Sequence, residues 1–335
     1  MEIGKLGQTL TTNEVFELVR ADLQLVETEI GLESVASVEA VTTIGQYLYA
    51  AGGKRLRPAL LLLCSRVIGG QAPGPGAIRM GAVVEILHAA TLVHDDVIDQ
   101  AETRRGRPST NVQWGNHTCV LAGDWLYMQA FQIALRERNF HILDLLISLT
   151  QLMVEGELIQ LERIGKIGIT EADCMELVDR KTAGLFSVCA KLGAIVGNAD
   201  TATEEKLGDF AWNLGMAFQL VDDLLDFTAR EQTLGKPVGG DLKEGKVKLP
   251  LVYALERCSS EDRTKIETVL RDRNYDTVSF AEVYGIVERG GGIERVRERA
   301  NHFTERARQI IGEFPESPYQ RALYAVTELV IDRDH

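Results

Sequence analysis

The sequence predicts an all-α protein with many antiparallel helices, on three observations. Apolar residues recur at helical spacing: Ile86, Ala90, Val93 and Val97 follow a 4-3-4 rhythm, and so do Leu214, Phe218, Val221 and Leu225. Proline is scarce, with 8 in 335 residues, so little interrupts helices of that period. Alternating apolar and polar runs bounded by turns, the mark of strands, are hard to find.

The breaks between helices follow in order. Residues 69–76 read GGQAPGPG, a loop. Residues 165–168 form another, and Thr170 is placed to cap the helix that follows. Residues 198–203 separate two further helices. Residues 231–248 are the longest glycine- and lysine-rich stretch, and 290–292 and 315–318 break the C-terminal part. None of these has the composition of a linker between independent domains, so residues 1–335 are expected to form a single domain.

Composition narrows the function classes. The chain is 45% apolar and 25% charged, which fits a globular protein rather than a disordered or fibrous one. A net charge of −13 speaks against a nucleic-acid partner, although a small polyanion needs only a local basic cluster. The start, MEIGKLGQTLTTNEVF, lacks the pattern of a signal peptide. No uninterrupted apolar run approaches the ~20 residues of a membrane span, so no transmembrane segment is expected. Five scattered cysteines without a C-x-x-C pair read as free thiols of a cytoplasmic protein.

Two acidic motifs stand out. Residues 92–99 read LVHDDVID and residues 220–226 read LVDDLLD. On a helix Asp95 and Asp99 share one face, with Asp96 about 100° away from Asp95 and His88 two turns back. Asp222 and Asp226 repeat that spacing, with Asp223 beside them and Gln219 one turn before Asp223. One such motif would read as a solvated helix face. Two copies, each set among apolar residues and neither with lysine or arginine at i+4 of its adjacent aspartate pair, point to a cation that the nearby sequence does not supply. Hard carboxylate oxygens suit Mg²⁺, which keeps waters and bridges to substrate phosphates.

Basic groups accompany the acids. Lys54, Arg55 and Arg57 come directly after Gly52 and Gly53, where backbone can approach an anion and Arg57 can grip phosphate bidentately. Arg104, Arg105 and Arg107 come soon after the first motif, and Lys181, Lys236, Lys243, Lys246 and Lys248 add more charge. Two basic groups are consistent with two diphosphates. A GxxxxGK[ST] loop is missing, which sets a kinase reading aside.

GGKRLRP at 52–58, HDDVID at 94–99, RRGRP at 104–108, Gly123-Asp124, Lys181-Thr182, Phe218-Gln219 and DDLLD at 222–226 occur in an order that resembles the trans-isoprenyl diphosphate synthases, or polyprenyl synthetases. The resemblance covers about residues 40–250 in motifs. It implies a helical bundle around a deep central cavity, usually a homodimer, that joins isopentenyl diphosphate to an allylic diphosphate such as farnesyl diphosphate. It further implies Mg²⁺, three ions per site, with Asp95, Asp99 and Asp222 as metal ligands and Asp96, Asp223 and Asp226 completing the clusters. Lys54, Arg57, His88 and Arg105 match the isopentenyl diphosphate pocket. Arg104, Lys181, Thr182, Gln219 and Lys236 match contacts to the allylic diphosphate. Lys243 and Lys248 are expected to be solvated loop cations.

Chain length in this family depends on what blocks the tunnel beneath the first motif. Ala90 and Thr91, five and four residues before Asp95, stand where short-chain members carry an aromatic. Small residues there imply a long product, hexaprenyl to decaprenyl with octaprenyl favoured, and a floor deeper down at Met128 or Phe131. Helix counting puts Thr91 under Asp95 better than Ala90, whose role rests on the resemblance. A terpene cyclase or a head-to-head synthase normally lacks GGKRLRP with two DDxxD motifs. A regulatory subunit usually loses motif residues that this chain keeps. Short-chain synthesis of farnesyl or geranylgeranyl diphosphate is the rival within the class.

Overall fold

The structure is a computed structural model that describes residues 10–50, 52–53, 55–69, 74–228 and 238–331. The described chain is helical apart from one two-stranded hairpin and its loops. Two compact units are distinguished. The first comprises residues up to Ile147, Phe186–Ala211 and Arg308–Leu329; the second comprises Ser148–Leu185, Trp212–Ala307 and the residues from Val330 on.

The first unit opens with helices α1 (Thr12–Glu17), α2 (Arg20–Glu33), α3 (Glu39–Ala50) and α4 (Leu56–Gly69). Helix α5 (Pro75–Ile98) is its centre and packs against α2, α4 and α7 (Asn116–Leu135). Residues on every side of α5 are buried, among them Met80, Val83, Val84, Ile86, Ala90 and Val93, as befits a helix that is apolar all round. By length and composition α5 could cross a membrane, but 67% of its most apolar window is buried inside this protein and Glu85 lies within it, so it is a core helix. Paired charges tie the neighbouring helices together: Arg66 with Asp22, and Arg79 Nε with Glu137 at 2.5 Å.

Between α5 and α7 lie the hairpin and the short α6 (Thr110–Trp114). Strands β1 (Thr103–Arg104) and β2 (Arg107–Pro108) are antiparallel, with Arg104 opposite Arg107. The two residues that join them, Arg105 and Gly106, both have positive φ, 52° and 72°. This is the type I′ geometry that matches strand twist, and Gly106 adopts it without strain. The sequence reading did not foresee the hairpin.

One face of α7 carries Leu121, Met128 and Leu135, all exposed and spaced seven apart. Helix α8 (Phe140–Arg163) repeats the pattern with exposed Phe140, Ile147, Val154 and Leu161.

The second unit contains α9 (Glu171–Val178), a five-residue π-helical turn (Asp179–Ala183), the later part of α11 (Thr201–Thr228), α12 (Gly240–Lys243), α13 (Leu249–Leu255), α14 (Ser260–Asp272), α15 (Phe280–Arg289) and most of α16 (Gly292–Gly312). Helix α10 (Gly184–Val196) begins here and lies mostly in the first unit, as does α17 (Pro318–Ile331). Thr170 caps α9 as expected: its hydroxyl accepts from Asp173 N while the Asp173 carboxylate accepts from Thr170 N. Helix α13 packs on α9 and α15, and α12 on α14.

Candidate active site

The first aspartate motif occupies the last turn of α5. Asp95 is half-buried, Asp99 is exposed, and Asp96 between them is wholly buried. The Asp96 carboxylate accepts from Arg104 Nε at 2.6 Å, from Thr110 N at 3.1 Å and from the Thr110 hydroxyl at 3.0 Å. Thus Arg104, expected on the allylic diphosphate, also holds the middle aspartate through one of its five N–H donors. Asp95 and burial together raise the Tyr127 phenol to about 12, burial being the larger cause. Gly123-Asp124 has a steric reason: a Cβ at Gly123 would sit 2.2 Å from His94 Nε2. That nitrogen donates to Val120 O at 3.0 Å and lies 3.5 Å from Asp124.

The basic loop and the hairpin meet in the same unit. Arg105 donates to Gly52 O. Arg57 is packed over the Phe186 ring at 5.7 Å, and its buried Nε has no hydrogen-bond partner among the described residues. Arg55 was assigned no role from sequence, yet its guanidinium makes a 2.7 Å ion pair with Glu85, with side chains 12% and 9% exposed. It also donates to Tyr49 O. Arg55 is therefore an anchor of this loop rather than a hand held out to ligand. His88 lies one turn after Glu85. Burial, then Arg57, Arg105, Arg104 and Arg55, push its imidazole well below the usual histidine range, so it is neutral at pH 7. A small pocket here is lined by Tyr47, Leu92, Asp96, Arg104, Arg105 and Thr110, among others. A buried arginine Nε with no hydrogen-bond partner among the described residues, with Glu85 near it already paired to Arg55 and Arg105 adding positive charge, is an arrangement that can take an anion.

In the second unit, expected residues join in a chain of hydrogen bonds. Thr182 on the π-helical turn donates through its hydroxyl to Gln219 Oε1 at 2.8 Å, and Gln219 Nε2 donates to Asp223 Oδ1 at 3.0 Å. π-Turns within helices often mark functional positions. Lys181, next on that turn, is paired with Glu157. Asp222 is exposed, whereas Asp223 and Asp226 are buried. Backbone from the following loop closes over Asp226, whose carbonyl accepts from Gly239 N at 2.8 Å.

Two expectations need correction here. Lys248, expected to be a solvated loop cation, has its Nζ 3.3 Å from Asp223 Oδ1 and 4.0 Å from Asp241 Oδ2. Burial opposes its charge, but Asp223 and Asp241 outweigh that and hold it protonated, above the ordinary lysine value. The cation missing at i+4 is supplied from elsewhere in the chain for both middle aspartates, by Arg104 and by Lys248. Lys243 is exposed, as expected.

Among the described residues no three ligating side chains form a ready-made metal cage. The donor set still fits Mg²⁺, which takes one or two carboxylates and completes its shell with water and substrate phosphate. Asp95 and Asp99, and separately Asp222, are the motif carboxylates that are not fully buried. Of the chain-length candidates, Ala90 is fully buried and Thr91 donates back to His88 O at 2.7 Å. Phe131 is half-buried, but Met128 is 62% exposed on the α7 stripe. Lys54 and Lys236 lie outside the described residues. Sequence reasoning missed Thr110, Glu85, Arg55 and Glu157. Only Arg55, within the basic loop, carried a local signal.

The profile of the polyprenyl synthetase family matches residues 38–287, and the chain belongs to that family. An octaprenyl diphosphate synthase of Haemophilus influenzae is 35% identical over 331 residues, 99% of this chain and 100% of that protein. A short chain isoprenyl diphosphate synthase of Methanothermobacter thermautotrophicus is 34% identical, over 96% of this chain and 99% of its own. The crystal structure of a polyprenyl synthase from Caulobacter crescentus, complexed with calcium and isoprenyl diphosphate, superposes with a TM-score of 0.92 at 31% identity, covering 98% of this chain and 100% of that one. This chain is accordingly an enzyme, a prenyltransferase with the all-α fold of its family.

Proposed function

We propose that the enzyme condenses an allylic diphosphate, with farnesyl diphosphate as primer, with isopentenyl diphosphate head to tail and releases a long all-trans polyprenyl diphosphate, octaprenyl favoured. The observation that carries the reading is the buried Arg57 guanidinium, whose Nε meets no acceptor among the described residues while Arg105 and neutral His88 stand near it. Lys54, Arg57, His88 and Arg105 bind isopentenyl diphosphate. Arg104, Lys181, Thr182, Gln219 and Lys236 contact the allylic diphosphate.

Asp95, Asp99 and Asp222 would hold Mg²⁺, which when bound supplies charge to the departing diphosphate. The arginines and lysines add fixed positive charge around the same leaving group. A neutral His88 offers a hydrogen bond without repelling its cationic neighbours. Once the allylic C–O bond breaks, the isopentenyl double bond attacks the allyl cation, and the proton lost at the next carbon passes to the released diphosphate. Apolar side chains of α5 keep water from the cation. Ala90 and Thr91 leave room below Asp95 for a growing chain, and of the two floor candidates burial favours Phe131 over Met128.

The exposed seven-residue apolar stripes on α7 and α8 support a homodimer, since contiguous exposed apolar faces mark interfaces. One domain per chain and a cytoplasmic setting complete the reading, the latter supported by five free cysteines. Incubation with farnesyl diphosphate, isopentenyl diphosphate and Mg²⁺, followed by sizing of the dephosphorylated products, tests it. Octaprenol is the expected main product, and no elongation at all would refute the enzyme reading. A product stopping at geranylgeraniol would favour the short-chain alternative, for which the Methanothermobacter relative speaks.

A further inference from the structure

Lys248 is used by none of the steps above, yet it sits inside the second aspartate cluster. Its backbone is fixed as the N-cap of α13, with Lys248 O accepting from Leu251 N at 3.0 Å and from Val252 N at 3.1 Å. Pro250 stiffens the same turn. From that anchored start the side chain reaches Asp223 and Asp241, which are 4% and 19% exposed. Asp223 Oδ1 also accepts from Gln219, and the Asp241 backbone leans on Asp226 Oδ2 at 3.4 Å. Two carboxylates, those of Asp223 and Asp241, thus meet one ammonium, with Asp222 next to the first and Asp226 against the backbone of the second.

We propose that Lys248 is a positioning residue, a resident counter-ion of this cluster that occupies the inward carboxylates and leaves Asp222 as the edge open to divalent metal. Its fixed charge lowers the cluster's demand for a further cation and keeps metal affinity weak until a diphosphate arrives. The geometry carries both halves: the ammonium contacts the inward pair, and the exposed member of the motif is Asp222.

The inference rests on the reading of Asp222 as a magnesium ligand, and turnover of Asp222→Asn tests that reading alone. The inference itself is tested without substrate, by following thermal unfolding of metal-stripped full-length protein as Mg²⁺ is added. Lys248→Gln is expected to melt lower than wild type in metal-free buffer and to recover as Mg²⁺ is titrated, with half-saturation roughly tenfold tighter than wild type. Lys248→Arg, which keeps the charge, is expected to restore both properties. A Lys248→Gln protein that melts lower but responds to Mg²⁺ as wild type does would reduce Lys248 to a structural pair and overturn the proposal. If Lys248→Gln does not fold, the double variant Lys248→Gln/Asp223→Asn removes both charges. It is expected to fold and to show the wild-type Mg²⁺ response, and a double variant as unfolded as the single one would also overturn the proposal.

Discussion

The two aspartate motifs share their spacing but differ in what satisfies the middle carboxylate. Asp96 is held by the hairpin arginine and by two donors of Thr110, a ring of partners from the segment just after its own helix. Asp223 is held by Gln219 on its own helix and by Lys248 from the start of another. The first motif leaves Asp95 half-buried and Asp99 exposed; the second leaves only Asp222 exposed. The DDxxD spacing decides which oxygens share a helix face. A cation brought from outside the helix decides which of them remain open to metal.

The largest effect expected from this difference lies in the outward residues. Asp95→Asn and Asp222→Asn should each lower kcat by on the order of a thousandfold, since several kcal/mol of charge stabilisation are lost. Asp96→Asn should show itself first in stability. It strands a partly exposed Arg104 beside a neutral amide and should cost about 2 kcal/mol, read as a lower midpoint in urea. An Asp96→Asn protein of wild-type stability that has lost turnover would break the comparison, because it would make the middle aspartate a ligand.

The helical fold was legible because apolar residues at 3.6-residue spacing report burial directly. The acidic and basic motifs were legible too, and the structure brings Asp96 to Arg104 and Thr182 to Gln219 and Asp223. The rest depended on contacts distant in sequence. A hairpin of two-residue strands is too short to show alternation, and only the positive φ at Arg105 and Gly106 reveals its turn. Lys248 looked like one more loop lysine because nothing local tells where its stem points. Arg55 and Arg57 are two residues apart in one motif, yet Glu85, from another helix, turns the first into an anchor.

That anchor gives the next effect in size. Glu85→Gln should release Arg55 into the first basic site and disorder the loop that carries Arg57. KM for isopentenyl diphosphate should rise about tenfold, with KM for the allylic primer unchanged. Equal rises in both would mean that Glu85 supports the whole fold rather than one site. Ala90→Phe acts below the first motif only. It should shorten the main product by several isoprene units while turnover persists, and an unchanged product ladder would remove Ala90 from the tunnel.

The smallest expected effect is one of pH, and it separates the two motifs again. His88 stands seven residues before Asp95, whereas the residue seven before Asp222 is Gly215. The first site therefore contains an imidazole, a group whose ordinary titration lies near neutrality, and the counterpart position in the second has none. Folded His88 refuses a proton because of burial and four nearby arginines, while the unfolded chain accepts one near pH 6.5. The unfolded state then binds more protons below that pH, so stability is full above about pH 6.5 and falls as the solution is acidified. Going from pH 6.5 to 5.5 should cost about 1 kcal/mol through this residue alone. Urea unfolding of wild type and His88→Gln at both pH values isolates that contribution, since other acid-sensitive groups are common to the two proteins. Wild type should lose more stability than the variant over this interval. Equal losses would mean that His88 carries its ordinary proton in the folded state, and that the arginine cluster does not bear on it as the geometry requires.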